Sequence, residues 1–78
     1  MTLNDVVIHV DEALDEAGRR GLEDRLRDTA GVIAPRFNER TPHLVVVAYD
    51  ADRIHAHDLL DCVRRHGCNG QLIGGFGL

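Results

Sequence analysis

Runs of β-branched residues alternate with helical patterns along this chain, and the order of these patterns constrains the fold more than any other feature. Residues 6–10 are β-branched apart from one histidine, which predicts a strand. Asp15 or a neighbouring residue can cap the helix that follows, and the carboxylates of Asp15 and Glu16 suit its positive end. Leu22, Leu26 and Ala30 then recur at helical spacing. This part of the chain therefore predicts a strand followed by an amphipathic helix.

Two more strand patterns follow Gly31, which is a natural helix stop. Residues 32–37 form the first of them and residues 43–49 the second, with a turn at 38–42 between them. Pro35 lies inside the first of these strands and cannot donate a hydrogen bond to a neighbouring strand. We therefore expect this strand at an edge of the sheet.

A second helical pattern and a short strand complete the chain. Apolar residues recur with the spacing of one helix face until Gly67 ends the pattern. Leu72 and Ile73 form a short last strand before a glycine-rich end. The resulting order predicts an α+β fold, a ferredoxin-like βαββαβ sandwich with a four-stranded antiparallel sheet and two helices on one face. The length suits one domain, so we assign residues 1–78 to a single unit.

The charge balance and the lack of long apolar runs exclude several classes of function. Thirteen acidic against nine basic residues give a net charge of −4, which argues against a nucleic-acid partner. No run approaches the roughly 18 apolar residues that a membrane span needs, and residues 1–5 show no secretory signal. We therefore expect a cytoplasmic protein with two reduced cysteines. Glycine motifs for phosphate or dinucleotide binding are missing, so we expect no enzyme.

Four segments carry a resemblance to one protein family through their joint spacing. The segments are Ile8-x-Val10, Gly31-Val32, Val45-x-Val47-x-Tyr49-Asp50 and Leu59-Leu60-x-x-Val63-x-x-x-Gly67. In this register the chain resembles, over nearly its full length, the heavy-metal-associated (HMA) family of copper chaperones and N-terminal modules of metal ATPases. The resemblance implies the same ferredoxin-like fold and a link to metal binding and transport.

The metal-binding motif of that family is missing from this chain. Where the family carries Met-x-Cys-x-x-Cys, the matching positions here are Ala13, Asp15 and Gly18. Soft Cu(I) prefers thiolate ligands, so binding of Cu(I) by two thiolates is excluded at this place. The resemblance also implies that Cys68, directly after Gly67, lies close to this loop.

Two sets of residues are candidates for another metal ion, although no cofactor is certain. The first set is the acidic loop with Glu12 and Asp15, joined by Cys68, whose mixed oxygen and sulfur ligands could hold a divalent transition metal such as zinc. The second set is Cys62, His66 and Cys68, because Cys62 and His66 are four residues apart on one helix. The same residues also fit a protein without metal. Acidic residues compensate a helix dipole, and a buried cysteine packs as a small apolar side chain.

Strand alternation leaves a second candidate surface on the side of the sheet opposite the helices, which we call the open face. Its predicted residues are Val7, His9, Leu44, Val46 and Ala48. A contiguous apolar patch suggests a partner, either a second copy of the chain or another protein, whereas scattered surface apolar residues need none.

Two functional hypotheses follow from these residues. One is a non-enzymatic module that has lost the metal motif and binds itself or another protein through the open face. The alternative is a divergent metallochaperone that uses Cys68 with the acidic loop, or Cys62, His66 and Cys68.

Overall fold

The computed structural model describes residues 1–77, with side chains described through residue 74, and it confirms the predicted fold class. The four strands form one antiparallel sheet in the order β2-β3-β1-β4, so the first and third strands of the chain are central. The elements are β1 Leu3–Val10, α1 Glu16–Arg27, β2 Val32–Asn38, β3 Thr41–Asp50, α2 Ala56–Arg65 and β4 Gly70–Gly77.

Alternation along the two central strands separates a buried face from an open one. On β1, Val6, Ile8 and Val10 are buried, and on β3 Val45 and Val47 are fully buried. The helices contribute Leu22, Leu26, Leu59 and Val63, which are all fully buried, to the same cluster. One core therefore fills the space between the helices and one side of the sheet.

Several of the predicted boundaries are wrong. The first strand begins at Leu3 rather than at residue 6, and the second helix ends at Arg65, before Gly67. The first helix ends at Arg27 rather than at Gly31, and Ala30 is exposed outside it. The turn between β2 and β3 is only residues 39–40, because both strands extend into the expected turn. The last strand is eight residues long, since its glycine-rich end continues to pair with β1 as far as Asn4. Backbone pairing to a central strand outweighs the weak strand preference of glycine here.

The edge position of β2 is confirmed, and a helix side chain completes its hydrogen bonding. Pro35 lies opposite Val47 on β3, and its side chain is buried. Further along β2, the Phe37 backbone N–H donates to Glu23 Oε2 of α1 at 2.8 Å. This contact satisfies an edge N–H and ties α1 to the sheet.

Asp50 is a buried polar residue that closes the end of β3. Its Oδ1 accepts hydrogen bonds from the backbone N–H groups of Thr2 at 3.1 Å and Asp52 at 3.0 Å. Burial raises the pKa of Asp50, but these two hydrogen bonds and the positive charges of Arg53 and the N-terminus outweigh it, so its pKa lies below the ordinary value. The charged carboxylate therefore holds the first residues of the chain against the β3–α2 turn.

Two glycines have the left-handed backbone conformation that other residues rarely adopt. Gly31 lies between α1 and β2 with φ 96°, and Gly67 follows α2 with φ 90°. A Cβ at Gly31 would lie 2.8 Å from Ile54 Cγ2, whereas a Cβ at Gly67 would meet no atom within 4 Å. The two positions share the backbone requirement but differ in crowding.

Replacing each glycine by alanine separates these two effects. Gly67→Ala should lower the free energy of unfolding by about 1 kcal/mol, the cost of a left-handed backbone. Gly31→Ala should lower it by roughly 1–3 kcal/mol more, because its methyl group also overpacks against Ile54. Urea denaturation of both variants measures the difference, and equal losses would contradict the crowding seen at Gly31.

Candidate interaction face and candidate metal loop

The loop between β1 and α1 is held by its own carboxylates. Asp15 is the N-cap of α1, and its Oδ1 accepts a hydrogen bond from the Gly18 backbone N–H at 2.7 Å. This contact satisfies one of the free N–H groups at the start of the helix. The capping role predicted for Asp15 is therefore confirmed.

Glu12 is engaged by a residue from the other end of the chain. Its Oε1 accepts from the Asn69 backbone N–H at 2.8 Å, and its Oε2 accepts from Asn69 Nδ2 at 3.0 Å. The Asp11 backbone N–H also donates to the Asn69 carbonyl oxygen at 2.8 Å. We call these three hydrogen bonds the Glu12–Asn69 clasp. It joins the β1–α1 loop to the turn between α2 and β4.

Cys68 lies directly beside the clasp but is buried, with 6% of its surface exposed. Burial raises the pKa of the Cys68 thiol, and the negative charge of Glu12 raises it further. Metal ions bind the thiolate rather than the thiol. A metal at this site would therefore have to displace a proton from Cys68 and the hydrogen bonds of Glu12.

The second candidate set does not come together in the structure. Cys62 is buried in the core, and its Sγ lies 3.5 Å from Thr29 Oγ1. His66 is the C-cap of α2, and its exposed ring lies beside Gly21 of α1. Within residues 1–77, no three His, Cys, Asp or Glu side chains are arranged to hold a metal ion. Metal binding through Cys68, Cys62, His66, Asp15 and Glu12 thus stays a prediction that would need these side chains to move.

The strand register places the predicted open-face residues side by side. Val7 of β1 lies opposite Val46 of β3, and His9 lies opposite Leu44. Val46 is 37% exposed, and the other four predicted residues are each partly exposed. The open face is therefore one continuous surface across the two central strands, and its role as an interface stays a prediction.

Polar residues border the open face, and one histidine there was not predicted from the sequence. His9 Nδ1 lies 3.0 Å from Asp11 Oδ1, and the His43 ring is stacked on the His9 ring with centroids 6.0 Å apart. Arg36 of β2 lies opposite Val46, and Gln71 of β4 lies opposite His9. His43 could have been found only from the pairing of β1 with β3, since no motif marks it.

Comparisons with known proteins give the fold a clear set of structural neighbours. No family model matches the chain, and no curated protein matches it. A copper-binding domain from HMA7, a P-type ATPase, superposes with a TM-score of 0.85 at 14% identity, covering 92% of this chain and 96% of that one. The N-terminal domain of a potential copper-translocating P-type ATPase from Bacillus subtilis, in the Cu(I)-loaded state, reaches 0.83 at 24% identity, covering 96% and 91%.

A third structural neighbour is oxidized MerP from Ralstonia metallidurans CH34. It has a TM-score of 0.82 at 15% identity and covers 92% of this chain and 99% of that one. At these identities the likeness shows a shared fold, and the fold implied by the resemblance to HMA domains is confirmed. The described part of the chain also contains no helix that is long and apolar enough to cross a membrane.

The Glu12–Asn69 clasp should contribute measurably to stability without any metal. Glu12→Ala and Asn69→Ala should each lower the free energy of unfolding by about 1 kcal/mol, the net value of a hydrogen-bonded carboxylate that is partly exposed. The double variant should lose little more than Glu12→Ala alone, because the side-chain hydrogen bond that Asn69→Ala removes is already lost when Glu12 is replaced. Urea denaturation in the presence of a chelator measures all three.

Glu16→Ala is the matched control for this double-mutant cycle. Glu16 also lies near the start of α1, but its carboxylate meets only the exposed Arg20 guanidinium, at 2.7 Å. An exposed ion pair of this kind contributes less than about 0.5 kcal/mol. If Glu12→Ala cost no more than Glu16→Ala, the clasp would have no structural role.

Proposed function

We propose that this protein is a non-enzymatic interaction module whose open face binds a second copy of the same chain. The observation that carries the proposal is the pairing of Val7 with Val46 and of His9 with Leu44 on the side of the sheet that has no helices over it. Two such faces can pack on each other as the two sheets of a β-sandwich do, at a separation of about 10 Å.

The size of the face sets the strength expected of such a contact. Fully burying a valine or leucine side chain contributes about 1.5–3 kcal/mol, and the face offers few large apolar side chains. Association also loses translational and rotational freedom and orders side chains at the interface. We therefore expect a small, reversible interface with affinity in the micromolar range or weaker, of the class that buries less than about 1,200 Å².

Metal handling is the second candidate function, and one observation favours it. The structural neighbours are named for copper binding, metal transport and a metallochaperone, and Cys68 lies close enough to Glu12 for the carboxylate charge to raise the pKa of the thiol. A divalent transition metal such as zinc suits a mixed oxygen and sulfur site better than Cu(I) does. The hydrogen bonds of Glu12 and Asp15 weigh against this candidate.

Self-association through the open face is tested by a charge placed at its centre. Val46→Glu should raise the dissociation constant about 100-fold or more, because a carboxylate would be buried against apolar side chains. Sedimentation equilibrium over a wide concentration range measures this. Ala17→Glu is the control, since it adds the same charge at an exposed position of α1. Wild-type protein that stays monomeric up to millimolar concentration would contradict the proposal.

The metal candidate is tested by following thermal unfolding of the reduced protein during zinc titration. A ligand that binds only the folded state must raise the melting temperature. On the proposed function, zinc should produce no rise at physiological concentrations. A rise that disappears in Cys68→Ser but persists in Cys62→Ser and His66→Ala would establish binding by Cys68 with the acidic loop. A rise that disappears in all three variants would support binding by Cys62, His66 and Cys68.

A further inference from the structure

We infer that the two copies meet with their β1 strands antiparallel, around a two-fold axis that crosses the strands at the Val7–Val46 pair, so that Asp5 of each copy faces His9 of the other. This inference rests on the proposed function and specifies its geometry. It comes from the order of residues along the open face.

The open-face residues of β1 have opposite chemistry on the two sides of Val7. Val6, Ile8 and Val10 are buried, so Asp5, Val7 and His9 lie on the opposite face of the same strand. Asp5 and His9 are each two residues from Val7, about 6.8 Å along the strand in opposite directions. Turning a second copy about an axis through Val7 exchanges these two positions. The acidic end of one β1 then lies over the imidazole end of the other.

The neighbouring strand is complementary in size about the same axis. Ala48 lies opposite Asp5, Val46 opposite Val7 and Leu44 opposite His9. The rotation that places Asp5 over His9 therefore places Ala48 of one copy over Leu44 of the other. A small side chain facing a large one fills the space between two sheets better than equal pairs do. Charge and volume thus favour the same arrangement.

The other two-fold arrangement of these faces lacks this match. An axis parallel to the strands and midway between β1 and β3 would place Asp5 over Ala48 and His9 over Leu44 of the second copy, because these residues are opposite each other in the strand register. Both polar side chains would then be covered by apolar groups without a partner, which is unfavourable. An isologous contact around the crossing axis gives each Asp5 one His9 partner, so the Asp5–His9 pair occurs twice, once on each side of the axis.

The groups around His9 are compatible with a carboxylate from a second copy. Asp11 Oδ1 lies 3.0 Å from His9 Nδ1, and the His43 ring is stacked at 6.0 Å. Asp11 accepts from Nδ1–H, and in the protonated imidazolium Nε2–H is left to donate to the partner's carboxylate. The same arrangement also brings two like charges together. Arg36, Val46 and Val7 lie opposite one another on β2, β3 and β1, along the line of the axis. The Arg36 side chains of the two copies therefore approach each other at the β2 edge.

A charge-exchange experiment tests this geometry. Asp5→Lys alone places lysine against His9, and His9→Glu alone places glutamate against Asp5, so each variant should self-associate about fivefold more weakly than wild type. An equimolar mixture pairs the new lysine with the new glutamate and keeps one wild-type Asp5–His9 contact. The mixture should therefore form a heterodimer at least about fivefold tighter than either variant alone. Sedimentation equilibrium and native mass spectrometry at low ionic strength measure this.

Arg36→Gln provides an independent readout at an exposed position. Removing the like charges at the β2 edge should tighten the wild-type dimer about twofold to fivefold, with unchanged thermal unfolding of the dilute protein. Two results would overturn the inferred axis, provided that Val46→Glu still weakens association. One is a mixture that associates no better than the single variants, and the other is an Arg36→Gln variant that associates as strongly as wild type. That outcome would leave the proposed function standing. A monomeric wild type would overturn the proposed function itself.

Discussion

Helices cover only one face of the four-stranded sheet, and the rest of the structure follows from this constraint. Successive side chains of a strand point to opposite faces, so burying Ile8 and Val10 beneath the helices forces Val7 and His9 onto the other side. In many sheets of this kind the uncovered side carries polar residues. Here the central pair Val7–Val46 and the neighbouring Leu44 and Ala48 make it apolar. A second layer over this face would remove that surface from water, as it does in a β-sandwich.

The loop between β1 and α1 is held in place by hydrogen bonds within the protein. Neighbours of this fold are named for copper binding, whereas the HMA resemblance places the two cysteine positions of the family motif at Asp15 and Gly18 of this chain. Asp15 caps the helix, and Glu12 binds the turn before β4 through Asn69. The carboxylates that could serve as hard ligands already have protein donors, and the nearby thiol is buried with a raised pKa.

Local chemistry made much of the fold predictable, and long-range contacts account for what was missed. Pro35 marked an edge strand because it lacks an N–H, and Gly31 and Gly67 marked left-handed turns. The Glu12–Asn69 clasp joins residues 57 apart in the chain, so no local pattern could predict it. The full length of β4 was missed because its glycines have weak strand preference, and only the presence of β1 beside them allows pairing. The interpretation of Cys62 as a core residue agrees with the structure, where Cys62 is buried. The set with His66 was grouped from sequence spacing, which could not show that His66 is exposed.

Nuclear magnetic resonance of the reduced protein, recorded over a concentration series with and without zinc, tests the central claim most directly. If the open face is the working surface, methyl and amide signals of Val7, Leu44, Val46 and Ala48 shift as the concentration rises. Signals of Glu12, Cys68 and Asn69 then stay unchanged when zinc is added. Zinc-dependent shifts around Cys68, with open-face signals independent of concentration, would contradict the account and assign the function to the loop.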